Sequence, residues 1–487
     1  MTGDRLLILV PIVPLVAAVA AFAIPRWSRR IALASSAITA TIVVWIAGEV
    51  LRVGGLDHPL AGWGAPLGIA LRADGLAAVM LLAVAVVGLV VSLYAASSFR
   101  RLGTQSLPER FYWPLWLFLL SALNAIFLAG DVFTLYVAFE VNGLAAVSLV
   151  AIAGKPDALR AALRYLFVSL TGSLLYLMGV AVLYADTGVL DLVRLADRIA
   201  PGPPAIVACV LMTGGLLMKA ALFPLHFWLP PAHSSAPAPV SAALSALVVK
   251  GGFFVLLRLW FGPFAELVEG PAIQWVGGLG AAAILWGSAH ALFQDRLKLV
   301  VAYSTVAQLG YLFLIFPIAW SPGARSAAVV GGITLLLSHA TAKAAFFLVA
   351  GNVLAAIGND RVASLCGMSR WLTVSAFTMG LAGVSLVGLP PSAGFTGKWM
   401  LIVAALEQRQ WWWVAVMLAG TVLAAAYFVR VLGPTFLMPE TDSPPKPVPR
   451  SMEWTAFSLA AASVLLGFAA SGVARFVGGA LPPGAGP

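Results

Sequence analysis

Cut at its charges, prolines and glycines, the chain falls into apolar runs long enough to cross a bilayer, each needing about 20 residues. Fourteen such runs are predicted, beginning near Leu6, Ile31, Asp74, Phe111, Val132, Ala161, Ala205, Val240, Ile273, Leu297, Ala327, Leu372, Trp411 and Trp454. Two of them are interrupted. Pro224 breaks the seventh just after Lys219, and a segment rich in Pro and Ser follows. In the twelfth, Pro390, Pro391 and Gly394 break LVGLPPSAGFTGKWMLI ahead of Lys398. The predicted fold is an all-α polytopic membrane protein. Lys219 and Lys398 lie five runs apart; since five is odd, a repeat of that length is inverted across the membrane, as in secondary transporters with broken helices at matching positions. The expected segments are 1–110 (runs one to three), 111–260 (first inverted repeat, runs four to eight), 261–435 (second repeat, runs nine to thirteen) and 436–487. In the last, MPETDSPPKPVPR reads as an extended cytoplasmic connector, and LPPGAGP after the fourteenth run as a disordered tail.

Composition agrees and narrows the chemistry. The 487 residues are 61% hydrophobic and only 10% charged, with a mean hydropathy of +0.98, outside the range of soluble domains. The net charge of +10 does not indicate nucleic acid, because the basic residues sit in short loops and not on one soluble face. Cys209 and Cys366 are far apart and form no Cys-x-x-Cys, so no disulfide framework, iron–sulfur site or zinc site is written. No glycine-rich phosphate loop or dinucleotide fingerprint occurs. No cofactor or metal residues are therefore assigned, and any redox chemistry belongs to a partner.

Loop charges predict an orientation. Sixteen Lys and Arg fall on the odd-numbered loops and nine on the other side. By the positive-inside rule the odd loops are cytoplasmic and both termini lie on the outer face of the cell membrane. Ala18 to Ala23 resembles a signal-peptide cleavage site, but Arg26, Arg29 and Arg30 directly after it resist export, so a retained helix is expected.

Four lysines fall in neither set: Lys219, Lys250, Lys343 and Lys398 all lie within apolar runs. A lysine at the centre of a membrane helix costs roughly 2.5–3.5 kcal/mol on insertion scales, so such residues line a wet, protein-walled path. Lys219, late in its run, could instead snorkel to the interface; Lys250, deep in its run, cannot do so as easily. Glu140, in the middle of DVFTLYVAFEVNGLAAVSLV, is the one carboxylate clearly inside a run. His339 and Lys343 are four apart and share a helix face, which suits a relay and equally suits ordinary interhelical hydrogen bonding. His233 reads as a headgroup residue, with gating of water access as the alternative. Ser304, Thr305, Gln308 and Tyr311 read as water-holding or routine helix contacts, and Tyr427 and Arg430 as interface markers.

Several of these stretches carry a resemblance. NAIFLAGDVFTLYVAFEVNGLA, KAALFPLHFWLPPAHSSAPAPVSAALSALVVKGGFFVLLRL, VAYSTVAQLGYLFL and LSHATAKAAFFLVAG resemble the antiporter-like membrane subunits. That superfamily spans the proton-pumping subunits of respiratory complex I, membrane-bound hydrogenase subunits and the large subunits of Mrp-type cation/proton antiporters. The resemblance covers about residues 70 to 430, and the Lys-x-x-x-x-Pro-x-His-x-Trp-Leu-Pro string is specific to it. GWGAPLGIALRADGLAAVMLL looks most like the D-type member of the Mrp set. Lys398, at the position on the second broken run where other branches carry glutamate, resembles both the Mrp D-type and the complex I N-type branches, and the absence of a long lateral helix disfavours the largest complex I subunit.

The resemblance implies a proton relay through Glu140, Lys219, Lys250 and Lys398, with His339 and Lys343 as a central link. It implies other membrane subunits as partners, in an antiporter or a redox complex of the NADH-quinone oxidoreductase type, and protons as the transported species, with Na⁺ or K⁺ left open as a further one. No oxygen-rich cage selects Na⁺ or K⁺. Three functions compete: a proton-conducting antiporter subunit, a proton-pumping subunit of a redox complex, and a structural subunit that moves no ions.

Overall fold

The computed structural model describes residues 3–64, 68–101, 107–268, 270–438 and 445–478. The expected tail at 481–487 lies outside the described residues, as does part of the connector, 439–444. The chain is nearly all helical, and twelve helices among the described residues are long and apolar enough to cross a membrane. Helix α1 (Leu9–Ala23) is followed by α2 (Ser28–Val53) and α3 (Gly75–Arg101). It packs against α4 (Leu107–Leu128), where Ser121 Oγ and Asn124 Nδ2 donate to the Pro11 and Val10 carbonyls at 2.8 and 3.2 Å. Next come α5 (Val132–Ala151) and α6 (Pro156–Thr187).

Local sequence sets many boundaries. Pro156 opens α6 at its first position, where the missing N–H is not needed, and Gly188 closes it in the left-handed conformation (φ 69°). One segment departs from the all-helical expectation. Gly55–Pro59 (β1) and Ala70–Asp74 (β2) pair antiparallel ahead of α3. Arg72 of β2 bonds Asp57 of β1 at 3.0 Å and Asp191 at 2.8 Å, fastening the hairpin to the start of the short helix Leu192–Arg198. Apolar runs do not reveal so short a polar ribbon.

Both expected breaks are present. Helix α7 (Pro203–Lys219) stops at Lys219, a non-helical stretch follows, and α8 (Leu229–Ser235) resumes. Then α9 (Ala238–Trp260) contains one π-helical turn, Leu244–Val248. Three long helices come next: α10 (Gly270–Phe293), α11 (Leu297–Ala319) and α12 (Pro322–Ile357). At the second break α13 (Thr373–Val387) gives way to α14 (Ala393–Glu407), started by Ser392, whose Oγ accepts from the Phe395 N–H at 3.2 Å. Helices α15 (Trp411–Leu432) and α16 (Arg450–Val477) complete the described chain. The breaks differ in one respect: Lys219 ends the helix before its break, whereas Lys398 lies within the helix after its break.

The protein's centre is α9 and α11. The apolar window of α9 is wholly buried and that of α11 nearly so, whereas α1, α6, α10 and α15 leave most of theirs outward. An apolar outer surface is what lipid contact requires. The polar side chains on α9 and α11 are therefore walled by protein.

Candidate functional site

Lys219 is only partly buried. Its ammonium donates to the Ser169 carbonyl of α6 at 3.4 Å and stands 5.1 Å from the centroid of the Phe139 ring on α5. A small cavity bounded by Phe139, Asn142, Ser169, Lys219, Trp228 and Val248 adjoins it, with the room of roughly a single water. Glu140, next to Phe139, lies within electrostatic reach of Lys219. Among the described residues the two do not close to an ion pair within 4.0 Å.

Lys250 is fully buried on α9, just past the π turn. There the Val249 N–H reaches back five residues to the Leu244 carbonyl. The Ser245 carbonyl, which an α-helix would have paired with Val249, accepts from the Lys250 ammonium instead. π turns of this kind recur at functional sites. Ser245 Oγ in turn lies 2.9 Å from Thr305 Oγ1 on α11. Since Thr305 Oγ1 donates to the Val301 carbonyl at 2.9 Å, its hydrogen is used and Ser245 is the donor.

Lys343 of α12 meets the same patch of α11, donating to the Val301 carbonyl at 3.0 Å and to Ser304 Oγ. One turn earlier His339 is buried, faces Lys250 and Lys343, and among the described residues has no hydrogen-bond partner on either ring nitrogen. Farther along α11, Gln308 Nε2 donates to the Leu386 carbonyl at 2.9 Å. Lys398 donates to that same carbonyl at 3.2 Å and to Val387 at 2.9 Å, with its ammonium 4.4 Å from the Tyr311 ring centroid. The negative end of the α13 dipole thus holds a cation.

Val301, Ser304, Thr305, Gln308 and Tyr311 recur at helical spacing, so they form one stripe along α11. Lys343 and Lys398 touch it directly, and Lys250 donates to the carbonyl of Ser245, whose hydroxyl is bonded to Thr305. Lys219 and Glu140 form a separate group; among the described residues no direct hydrogen bond joins it to Lys250. Ser304, Thr305 and Gln308, expected to hold water or make routine contacts, are tied to these lysines and their carbonyl partners.

Three residues differ from expectation. His233, assigned to the headgroups, is completely buried in α8; its ring stacks on Phe347 at 4.6 Å, faces Lys250, Lys298 and Lys343, and among the described residues has no partner on either nitrogen. Lys298, counted with the loops, lies in the first turn of α11 at 3% exposure and donates to the Ala236 carbonyl at 2.5 Å. A residue beside a helix start can point inward or outward, and a linear count of loop charges does not distinguish the two. A signal was present: Lys298 falls on the helical face of Val301, Thr305 and Gln308. Tyr427, expected at an interface, is buried, with its hydroxyl toward Ser304 and Gln308. Arg430 on the same helix binds the Leu292 and Gln294 carbonyls and Asp295 at 2.6–2.8 Å.

A many-helix bundle with an apolar outer surface around a buried polar stripe defines a multi-pass membrane protein. The family described as NADH:quinone oxidoreductase/Mrp antiporter, TM, matches residues 129–424. The N-type subunit of a NADH-quinone oxidoreductase from Desulforudis audaxviator is 36% identical over 88% of this chain and 86% of its own. The D-type subunit of a Na(+)/H(+) antiporter from Bacillus subtilis is 30% identical over 85% and 83%. The Mrp complex from Dietzia sp. DQ12-45-1b contains a chain of the same fold, with TM-score 0.89 and 24% identity over 99% and 97% of the two chains. The chain belongs to the NADH:quinone oxidoreductase/Mrp antiporter membrane-subunit family.

Proposed function

We propose that this chain is the proton-conducting subunit of a multisubunit cation/proton antiporter, of the Mrp D-type kind, carrying H⁺ through Glu140, Lys219, Lys250, Lys343 with His339, and Lys398. The observation that carries the reading is the α11 stripe, which gives three lysines common hydrogen-bonded ground inside a protein-walled core. A buried ammonium is held at a cost unless it is solvated by such groups. A set of them on one stripe is a means of passing a charge along. A second reading, a proton-pumping subunit of a redox complex, is favoured by the 36% identity to an N-type oxidoreductase subunit. Other membrane subunits are the partners in both readings.

The finer architecture belongs to the same proposal. If α7 with α8 and α13 with α14 each count as one broken crossing, the chain crosses fourteen times, with both termini on the outer face. The segments 1–110, 111–260, 261–435 and 436–487 then stand as N-terminal helices, two inverted five-helix repeats, and connector with last helix. The breaks at the ends of α7 and α13 support this division.

The test is H⁺ flux in liposomes containing the assembled complex with Lys250→Met in this chain. The expected result is loss of flux with assembly intact. Undiminished flux in a correctly inserted variant overturns the relay and leaves the structural-subunit reading.

A further inference from the structure

The hairpin end of the first half holds polar groups that the relay above does not use. Asp131, the residue before α5, is 5% exposed. One of its oxygens caps α5 by accepting from the Thr134 N–H at 2.7 Å; the other, Oδ2, is buried with no partner among the described residues. Asp191 lies across from it, joined by a β-bridge between the two segments and held by Arg72 at 2.8 Å. Burial raises the Asp131 carboxyl above its ordinary value, and the neighbouring Asp191 charge adds to the rise against the pull of the Thr134 donors. A cavity of about 370 Å³, bounded by Arg72, Asp74, Gly130, Leu192, Asp197 and Arg258, opens beside this pair. Gly130 and Leu192 immediately flank the two aspartates in sequence, and the Leu192 N–H donates to the Gly130 carbonyl at 2.9 Å.

From Asp131 a line of buried polar atoms runs inward along α6. The Asp131 carboxylate lies within electrostatic reach of the Tyr176 hydroxyl. That hydroxyl is buried and, among the described residues, unpartnered, and so is Ser173 Oγ below it. Ser169, four residues farther, gives its carbonyl to Lys219. Spacings of three and four put Tyr176, Ser173 and Ser169 on one helical face, and the seven residues between the ends span about 10 Å. That is three to four hydrogen-bond lengths of about 2.8 Å, with two hydroxyls already on the line. Phe139, edge-on to Tyr176 at 6.2 Å, walls it on the α5 side. Buried hydroxyls without a protein partner cost stability, so two on one face beside an unpartnered carboxylate oxygen call for a role other than packing.

We propose that Asp131, Tyr176 and Ser173 form a second branch of the proton path, connecting the cavity at the hairpin face directly to Lys219. Hydrogen-bonded hydroxyls and waters suffice for proton hopping. A metal cation is not the ligand of this branch: its mouth carries the Arg72 guanidinium, and no cluster of three or more acid, His or Cys side chains able to ligate one occurs among the described residues. The branch makes Lys219 reachable from the face that the loop charges put outside, so that this lysine loads or unloads there without the passage through Lys398.

The branch rests on the relay role of Lys219, and the experiment separates the two. H⁺ flux is measured in liposomes containing the complex with Lys219→Ala, Asp131→Asn, Tyr176→Phe or Ser173→Ala, alongside assembly and thermal stability. Asp131→Asn keeps an acceptor for the Thr134 cap, and Tyr176→Phe removes a hydroxyl that bonds nothing, so the fold tolerates both. Expected is abolition of flux with Lys219→Ala and a drop of about tenfold, equivalent to about 1.4 kcal/mol of added barrier, with Asp131→Asn and with Tyr176→Phe at unchanged or higher stability. Ser173→Ala gives a smaller loss. Flux abolished by Lys219→Ala but untouched by both Asp131→Asn and Tyr176→Phe overturns the branch and spares the relay. Flux untouched by Lys219→Ala overturns the relay and the branch with it.

Discussion

The two breaks present the same residue type in opposite circumstances. At the first, Lys219 ends α7, half-buried beside a small cavity, with one long contact of 3.4 Å and a carboxylate near but not bonded. At the second, Lys398 is sunk in the bundle and donates to two carbonyls at the end of α13, at 2.9 and 3.2 Å, beneath an aromatic ring. The end of a helix dipole is a fixed partner for a cation. A side chain such as Glu140 is a movable one. Lys219 is thus the member whose surroundings can alternate, and Lys398 the member whose site is built around its charge.

That contrast is broken or upheld most directly by removing each ammonium. Lys398→Met leaves the Val387 carbonyl, and in part that of Leu386, buried without a donor. A loss of about 1–3 kcal/mol is expected, read as a lower Tm of the purified complex. Lys219→Met removes one long contact and a half-buried charge, so little change or a slight gain in Tm is expected. Equal destabilisation by the two variants would erase the distinction. A smaller effect probes the same pocket from its backbone. Gly388 has φ 87°, and a Cβ there would lie 2.9 Å from Lys398 Cδ. Gly388→Ala is expected to cost about 1–2 kcal/mol in backbone conformation and to displace the lysine stem, lowering both Tm and flux. If flux holds while Tm falls, the exact seat of Lys398 does not matter for transport.

What is legible in the chain follows from what one dimension records. Lysines inside apolar runs stand out by contrast, so Lys250, Lys343 and Lys398 are visible in the sequence itself, as are Pro224 and Pro390 as breakers. Their connection is not legible there, because it depends on which faces of α9, α11 and α12 meet. The π turn at Leu244–Val248 also has no periodic signature, yet it frees the carbonyl that Lys250 takes. Polarity at a run's edge is ambiguous in the same way, which is why Lys298 and His233 read as outside and lie inside. Tyr176 and Ser173 carry no signal in the sequence, because only the packing of neighbouring helices on α6 buries them.

If the first break is the loose one, the helix that follows must be anchored elsewhere, and the hairpin face provides the anchor. Arg258, near the end of α9, grips Asp74 through both guanidinium ends at 2.5 and 2.6 Å. Burial alone would raise the Asp74 carboxyl, but the Arg258 charge and hydrogen bonds outweigh it and hold the group below its ordinary value of 3.8. In the unfolded chain Asp74 therefore takes up its proton at a higher pH than in the folded one. The pair's contribution is complete above pH 3.8 and is lost as pH falls through the lower folded value. Asp74→Asn removes it at every pH. The difference in stability between the natural chain and this variant, read as a shift in Tm, should be small, on the order of 1 kcal/mol, constant from neutral pH down to about pH 4, and shrinking below it. A difference that instead grew on acidification would mean that Asp74 is not clamped in its charged form, and that the first half has no firm counterpart to the seat of Lys398.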